Sequence, residues 1–182
     1  MNNKKFLIAA LSLILLFAIS CGDRPTGSIP SDGSIPKVTG TERVTLTTAL
    51  MLKDEKGSGL TVKPVKDGAL ELDAETKEYF FGSYKEIPIS KNGIAGADWE
   101  LYWKDDGKTI MEANELDPDD TSKVISYLKI TFTQTPEPFN SGSGITADVE
   151  VYHELPEDSY GAVYVGKNTT PYTVSEYTPS GN

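Results

Sequence analysis

A chain of 182 residues with one cysteine, Cys21, and one histidine, His153, has few parts from which to build side-chain chemistry. A Ser-His-Asp or Cys-His site needs that histidine beside a nucleophile on a sharp turn, and no Gly-x-Ser-x-Gly elbow is present. A histidine-rich zinc site is excluded by count. His153 shares parity with Val149, Val151 and Leu155. It is therefore expected to point inward near the end of a strand, as a satisfied core or rim residue. The densest acidic run, Glu112, Glu115, Asp117, Asp119 and Asp120, is the best metal candidate, because calcium binds clustered carboxylate oxygens on flexible loops. Its proposed ligands are Asp117, Asp119 and Asp120. The run departs from the helix-loop-helix calcium pattern. Ser122 stands where the sixth position, counted from Asp117, requires Gly, and the twelfth is not glutamate. The expectation is a solvated acidic loop with no resident cofactor. Glycoside hydrolysis needs two carboxylates at a set separation across a cleft, and acids spread over every strand single out no such pair.

The middle of the chain is rich in aromatic residues: Tyr79, Phe80, Phe81, Tyr84, Trp99, Tyr102 and Trp103. Such faces serve as platforms for sugars, apolar ligands and protein partners, so Trp99, Tyr102 and Trp103 form the candidate ligand-binding set. Trp99, Leu101 and Trp103 share one parity, which is also what core packing requires. The Gly-rich loops at 92–96 and 140–144 lack the Lys and Thr of a phosphate loop and read as turns. Asn168-Thr169-Thr170 matches a glycosylation sequon, a three-residue pattern too short to carry an argument.

The start of the chain has three parts: basic Lys4 and Lys5, an apolar run from Phe6 to Ile19, and small residues before Cys21. This is the layout of a secretory signal. A run of fourteen residues falls short of the roughly 20 that span a bilayer. The run suits a cleaved signal core better than a permanent span. Ala18-Ile19-Ser20-Cys21 resembles the lipobox of bacterial lipoproteins, in which signal peptidase II cuts before a diacylated cysteine. Ala18 replaces the family's commoner Leu. The resemblance covers residues 1 to 21 and implies a covalent lipid on Cys21 as membrane anchor. One acyl chain binds marginally and two or three hold stably. Cys21 is then consumed, so no disulfide can support the exported fold. In enteric lipoproteins an aspartate directly after the cysteine resembles an inner-membrane retention signal. Gly22 takes that place here, which favours the outer membrane or cell surface.

The first twenty residues hold two lysines and no acid, so removing them takes the net charge from −10 to −12. An acidic chain is a poor partner for nucleic acid and for anionic headgroups. After the signal (residues 1–20), residues 21–42 read as the lipidated cysteine and a flexible Gly/Ser/Pro tether. Its Gly27-Ser28-Ile29-Pro30 recurs as Gly33-Ser34-Ile35-Pro36. A coil of that length would reach roughly 25 Å. Residues 43–172 form one β-rich domain, and 173–182 a frayed C-terminal tail.

Period-two alternation runs through residues 43–53, 99–111, 124–135 and 145–155. Asp-Gly turns stand at 67–68 and 106–107, and a last short strand lies at 161–166. Pro64 predicts an edge position for its strand. One short helix is conceivable over Asp119 to Leu128, where a cap precedes Val124, Ile125 and Leu128. The fold class expected is all-β, an antiparallel sandwich or small barrel of about seven to nine short strands. The function expected is non-enzymatic: a binding or adhesion module of the cell envelope with a protein or glycan partner. The alternative is a carrier holding a small apolar ligand or sugar in an aromatic-lined cavity.

Overall fold

A computed structural model describes residues 34–56, 60–66, 69–70, 84–97, 99–154 and 163–178. The signal, Cys21, most of the tether and the aromatic cluster at 79–81 lie outside the described residues. Within them the chain forms twelve strands and no helix: β1 (Glu42–Arg43), β2 (Leu50–Lys53), β3 (Leu60–Lys66), β4 (Ala69–Leu70), β5 (Glu86–Ser90), β6 (Gly93–Ile94), β7 (Tyr102–Trp103), β8 (Ile110–Leu116), β9 (Val124–Phe132), β10 (Thr146–Glu154), β11 (Val163–Asn168) and β12 (Tyr172–Glu176). The protein is all-β, as the alternation predicts. The strands beyond the expected number are two-residue pairings such as β1, β4, β6 and β7.

Nine strands follow one another in a single antiparallel sheet, β1-β7-β8-β9-β10-β12-β2-β5-β6, curled into a half-barrel. Alternation places Met111 and Ala113 of β8, Leu128 and Ile130 of β9, and Val149 and Val151 of β10 on the inner face. There they join Leu50, Leu52, Ile89 and Trp103 in one buried cluster. The two margins of the curl are tied by irregular chain. The Val44 N–H bonds the Leu101 carbonyl at 2.8 Å, and the Leu46 N–H bonds the Lys91 carbonyl at 2.9 Å. The long alternating segment 43–53 is therefore not one strand. Val44 and Leu46 stay buried by parity, but the chain crosses from one margin of the sheet to the other between β1 and β2.

β10 has β9 along one edge, and its other edge is divided. Thr146 and Ala147 pair with β12, whereas Glu150 to Glu154 pair with β11. Where the partners part, Asn168 fills the fork. Its Oδ1 accepts the Val149 N–H at 2.8 Å, and its Nδ2 donates to Asp148 Oδ1 at 2.9 Å and to the Thr170 carbonyl at 3.0 Å. The asparagine of the sequon match is thus a side-chain substitute for missing ladder bonds. β3 continues from β11 and meets β4 at Val65 and Lys66, as the Asp-Gly hairpin predicts.

The conceivable short helix is not formed, and one expectation is corrected. Residues 119–128 form no helix. The Asp117 N–H bonds the Lys123 carbonyl at 2.9 Å, closing a turn, and β9 starts at Val124. The extended alternation through Phe132 outweighs a helical pattern that has only two turns. Nor is the chain frayed from Thr173. β12 lies between β10 and β2, and Tyr172 is fully buried. Its Ser, Thr and Glu residues are solvent-side positions of a short strand, which composition reads as a tail. A chain ending at Pro171 would leave β2 and β10 with unpaired edges. We expect it to lose its cooperative thermal transition, followed by far-ultraviolet circular dichroism; an unchanged melting temperature would contradict the central place of β12.

Candidate functional site

On the outer face the register lines up polar side chains in rows. Glu112, Lys129, Glu150 and Lys167 are successive partners across β8, β9, β10 and β11, and Asn114, Tyr127, Tyr152 and Val165 form the next row. Alternating charge across neighbouring strands is stabilising. Lys129 Nζ lies 2.8 Å from Glu150 Oε2, and Lys167 Nζ lies 3.3 Å from Oε1. Tyr127 and Tyr152 meet edge to face at 5.7 Å. Each phenol donates to a carboxylate, Tyr127 to Glu112 and Tyr152 to Glu150.

Residues 34–41, assigned by composition to the tether, lie on these rows as a strap. Ile35 packs against Tyr127, Tyr152 and Val165. The Val38 N–H donates to Asn114 Oδ1 at 2.7 Å, and Asn114 Nδ2 donates to the Pro36 carbonyl at 3.1 Å. Glu112, 0% exposed, gathers the rest: the Thr39 N–H and hydroxyl at 3.0 Å, the Gly40 N–H at 3.3 Å, and Lys104 Nζ at 2.6 Å. Burial alone would push this carboxyl up. The bonds from Lys104, Tyr127 and Thr39 outweigh it and hold the carboxyl at about 2. Gly40 is required by proximity, since a Cβ there would stand 2.2 Å from the Trp103 carbonyl oxygen.

The inner face ends in a different row, Glu115, Ser126 and His153. Ser126 Oγ donates to Glu115 Oε2 at 2.8 Å and lies 2.5 Å from His153 Nδ1. A hydroxyl has one proton to give, so Nδ1 carries the hydrogen toward Ser126. Burial lowers the His153 pKa, against the pull of Glu115 and Glu154. With the serine proton directed at Glu115, the ring is placed as a donor to the serine rather than as a base for it. Burial, with Glu115 next in effect, pushes the Tyr84 phenol up to about 12.

Beside this row the sheet wall opens. β7 pairs with β8 only at Tyr102 to Glu112 and Trp103 to Met111, while β8 runs on along β9 to Leu116. Residues 99–101 are drawn off toward the far margin, where the Trp99 carbonyl accepts the Ile94 N–H at 3.3 Å. Gly93 permits that approach, because a Cβ would meet the Trp99 oxygen at 2.5 Å. The divergence leaves a slot of about 780 Å³ between Trp99, Glu100 and Tyr102 on one side and Asn114, Glu115 and Leu116 on the other. Leu116 is 46% exposed, the one large apolar side chain in that condition among the described residues.

Of the sequence-derived candidates, Trp99 and Tyr102 line the slot, whereas Trp103 is 4% exposed within the core cluster. Trp99 also packs on that cluster from one side. Asp117, Asp119 and Asp120 sit in the β8–β9 turn. Asp117 Oδ1 accepts the Asp119 N–H at 2.9 Å, and Asp120 Oδ1 accepts the Ser122 hydroxyl at 2.6 Å and N–H at 3.0 Å. Among the described residues no three His, Cys, Asp or Glu side chains are grouped to hold a metal. Asn114, Glu150 and Leu116 were not singled out as functional positions, and Glu112 was noted only as a member of the acidic run. Their signal is a register shared by four strands, which no single strand displays. Compared with known proteins, the chain matches no family model, no curated protein and no solved structure.

The Glu112 carboxyl sets an acid limit on the strap. Its pKa lies below the ordinary 4.5, so the stabilisation is complete above that value and is lost as pH falls toward about 2. Glu112→Gln should remove that dependence and cost about 1–3 kcal/mol at neutral pH. Urea melts across pH would report both effects, and an unaltered acid limb would show that the carboxylate does not hold the strap.

Proposed function

We propose that the protein is a lipid-anchored module of a bacterial cell envelope that binds a macromolecular partner and catalyses no reaction. The observation that carries the binding half is the slot in the sheet wall, where Trp99, Tyr102 and exposed Leu116 stand together. Aromatic and leucine side chains at an opening supply contact area at small entropic cost. The anchoring half rests on the lipobox-like Ala18-Ile19-Ser20-Cys21. The acidic surface supports a domain that stands off anionic headgroups.

Catalysis finds little support in the one histidine, whose neighbouring serine is fully buried and gives its proton to Glu115. The carrier reading draws less support than the slot, because the inner face is occupied by one packed cluster of side chains. Calcium at Asp117, Asp119 and Asp120 is likewise not favoured, since Asp117 and Asp120 are engaged in capping the turn.

Two measurements test this reading. In bacterial cells the full chain should fractionate with membranes and carry the mass of a diacylated cysteine, whereas Cys21→Ser should abolish both. Membrane retention of Cys21→Ser would sink the anchor. Purified envelope glycan and envelope protein fractions should bind the intact protein, with at least a tenfold loss in Tyr102→Ala. Equal retention of that variant would remove the slot as the binding site.

A further inference from the structure

The slot is a place where a hydrogen-bonded ladder stops on one strand while that strand continues. The Lys104 N–H bonds the Ile110 carbonyl at 2.9 Å, on the β7 side of β8, and the Phe132 N–H bonds the Thr109 carbonyl at 2.8 Å, on the β9 side. Main-chain groups of successive strand residues point to alternate edges. Ile110, Glu112, Asn114 and Leu116 therefore direct N–H and C=O toward β7. A register shift at Glu115/Leu116 leaves this unchanged, since Asp117 again bonds toward β9 through Lys123. β7 serves Glu112, and just beyond it the Lys104 N–H and the Asp105 carboxylate satisfy the Ile110 carbonyl and N–H. Asn114 and Leu116 face the slot, and no strand among the described residues pairs with them there. Strand edges in this condition pair readily with added chain.

We propose that the β8 edge at Asn114 to Leu116 accepts an extended segment of a partner protein as an added strand, and that this segment alternates basic and apolar side chains. This rests on the binding role argued above and names the partner's chemistry. The basic preference follows from charge. The slot walls carry Glu100 and Glu115 and no Lys or Arg. Asp117, Asp119 and Asp120 follow directly after Leu116, in a chain of net charge −10. Arg43 engages Glu100 at 2.9 Å from a side chain that is itself half exposed, so an incoming cation competes with a solvated surface pair of small strength. The apolar preference follows from Leu116, Trp99 and Val38, which the alternate side chains would cover. Asn114 and Leu116 together offer two donors and two acceptors, the complement of one short strand.

The test uses the intact protein and the amidated heptapeptide Lys-Val-Lys-Val-Lys-Val-Lys as probe, with amide hydrogen exchange read residue by residue. In the free protein the Asn114 and Leu116 amides should exchange faster than those of Ala113 and Glu115, which face β9. The peptide should slow Asn114 and Leu116 at least tenfold and leave the other two unchanged. Its fully N-methylated form and Glu-Val-Glu-Val-Glu-Val-Glu should bind at least tenfold more weakly. So should the original peptide to Leu116→Lys, a substitution at an exposed side chain. No binding of the basic peptide, or equal binding of the N-methylated or acidic one, overturns the proposal. So does protection of the two amides that rises with protein concentration alone, which would make a second copy the occupant. Should the peptide fail while Tyr102→Ala still abolishes envelope binding, strand addition falls and the slot keeps its role; if both effects are absent, both readings fall.

Discussion

A carboxylate with no access to water must be matched by groups around it, and Glu112 is the point on which much of the outer face is arranged. Its partners come from three places far apart in sequence: Lys104 after β7, Tyr127 on β9, and Thr39 with Gly40 on the strap. Removing a charge from water costs several kcal/mol, and so many directed donors are what make the position tolerable. The same requirement draws irregular chain onto a sheet face that alternation alone would have left to solvent. With the strap in place, Ile35 covers the Tyr127–Tyr152 pair, and a second small hydrophobic cluster forms opposite the main core.

The slot follows from a second constraint, the closure of the curl. Trp99 must give its carbonyl to Ile94 at the opposite margin of the sheet, and the chain therefore joins β8 only from Tyr102 onward. A short β7 and a long β8 are two results of one geometric demand. The proposed binding site occupies the gap that closing the half-barrel leaves behind. The neighbouring Glu115–Ser126–His153 row holds the inner edge of that gap in a single hydrogen-bonded arrangement.

Much of the architecture was legible because a strand with one buried face writes its period into the chain. Leu128, Ile130 and Phe132 on β9, and Ala147, Val149 and Val151 on β10, are a direct record of the inner face. Legibility ended where a side chain's role depends on what lies across a ladder. Glu112 reads as one more acid in a run of acids until Lys104, Tyr127 and Thr39 are brought to it. Asn168 reads as a sequon until β10 forks beside it. Residues 173–176 resemble a tail in composition because a short strand in which only Tyr172 is fully buried needs few apolar residues. Trp99 and Tyr102 were visible as aromatic residues at an expected hairpin. Their separation from Trp103 was not, since it arises from the peeling of 99–101 off the sheet.

The arrangement of β8 also bears on how the molecule would carry load. A pull applied from the N-terminal side would reach the sheet through the strap, whose attachments among the described residues include Ile35 over the tyrosines and the bonds to Asn114 and Glu112. The slot edge belongs to the same strand, at Asn114 and Leu116. Tension between an anchored N-terminus and anything held in the slot would pass along a few residues of one strand and its strap. Apart from Ala113 and its neighbours on β8, the buried cluster would lie outside that path.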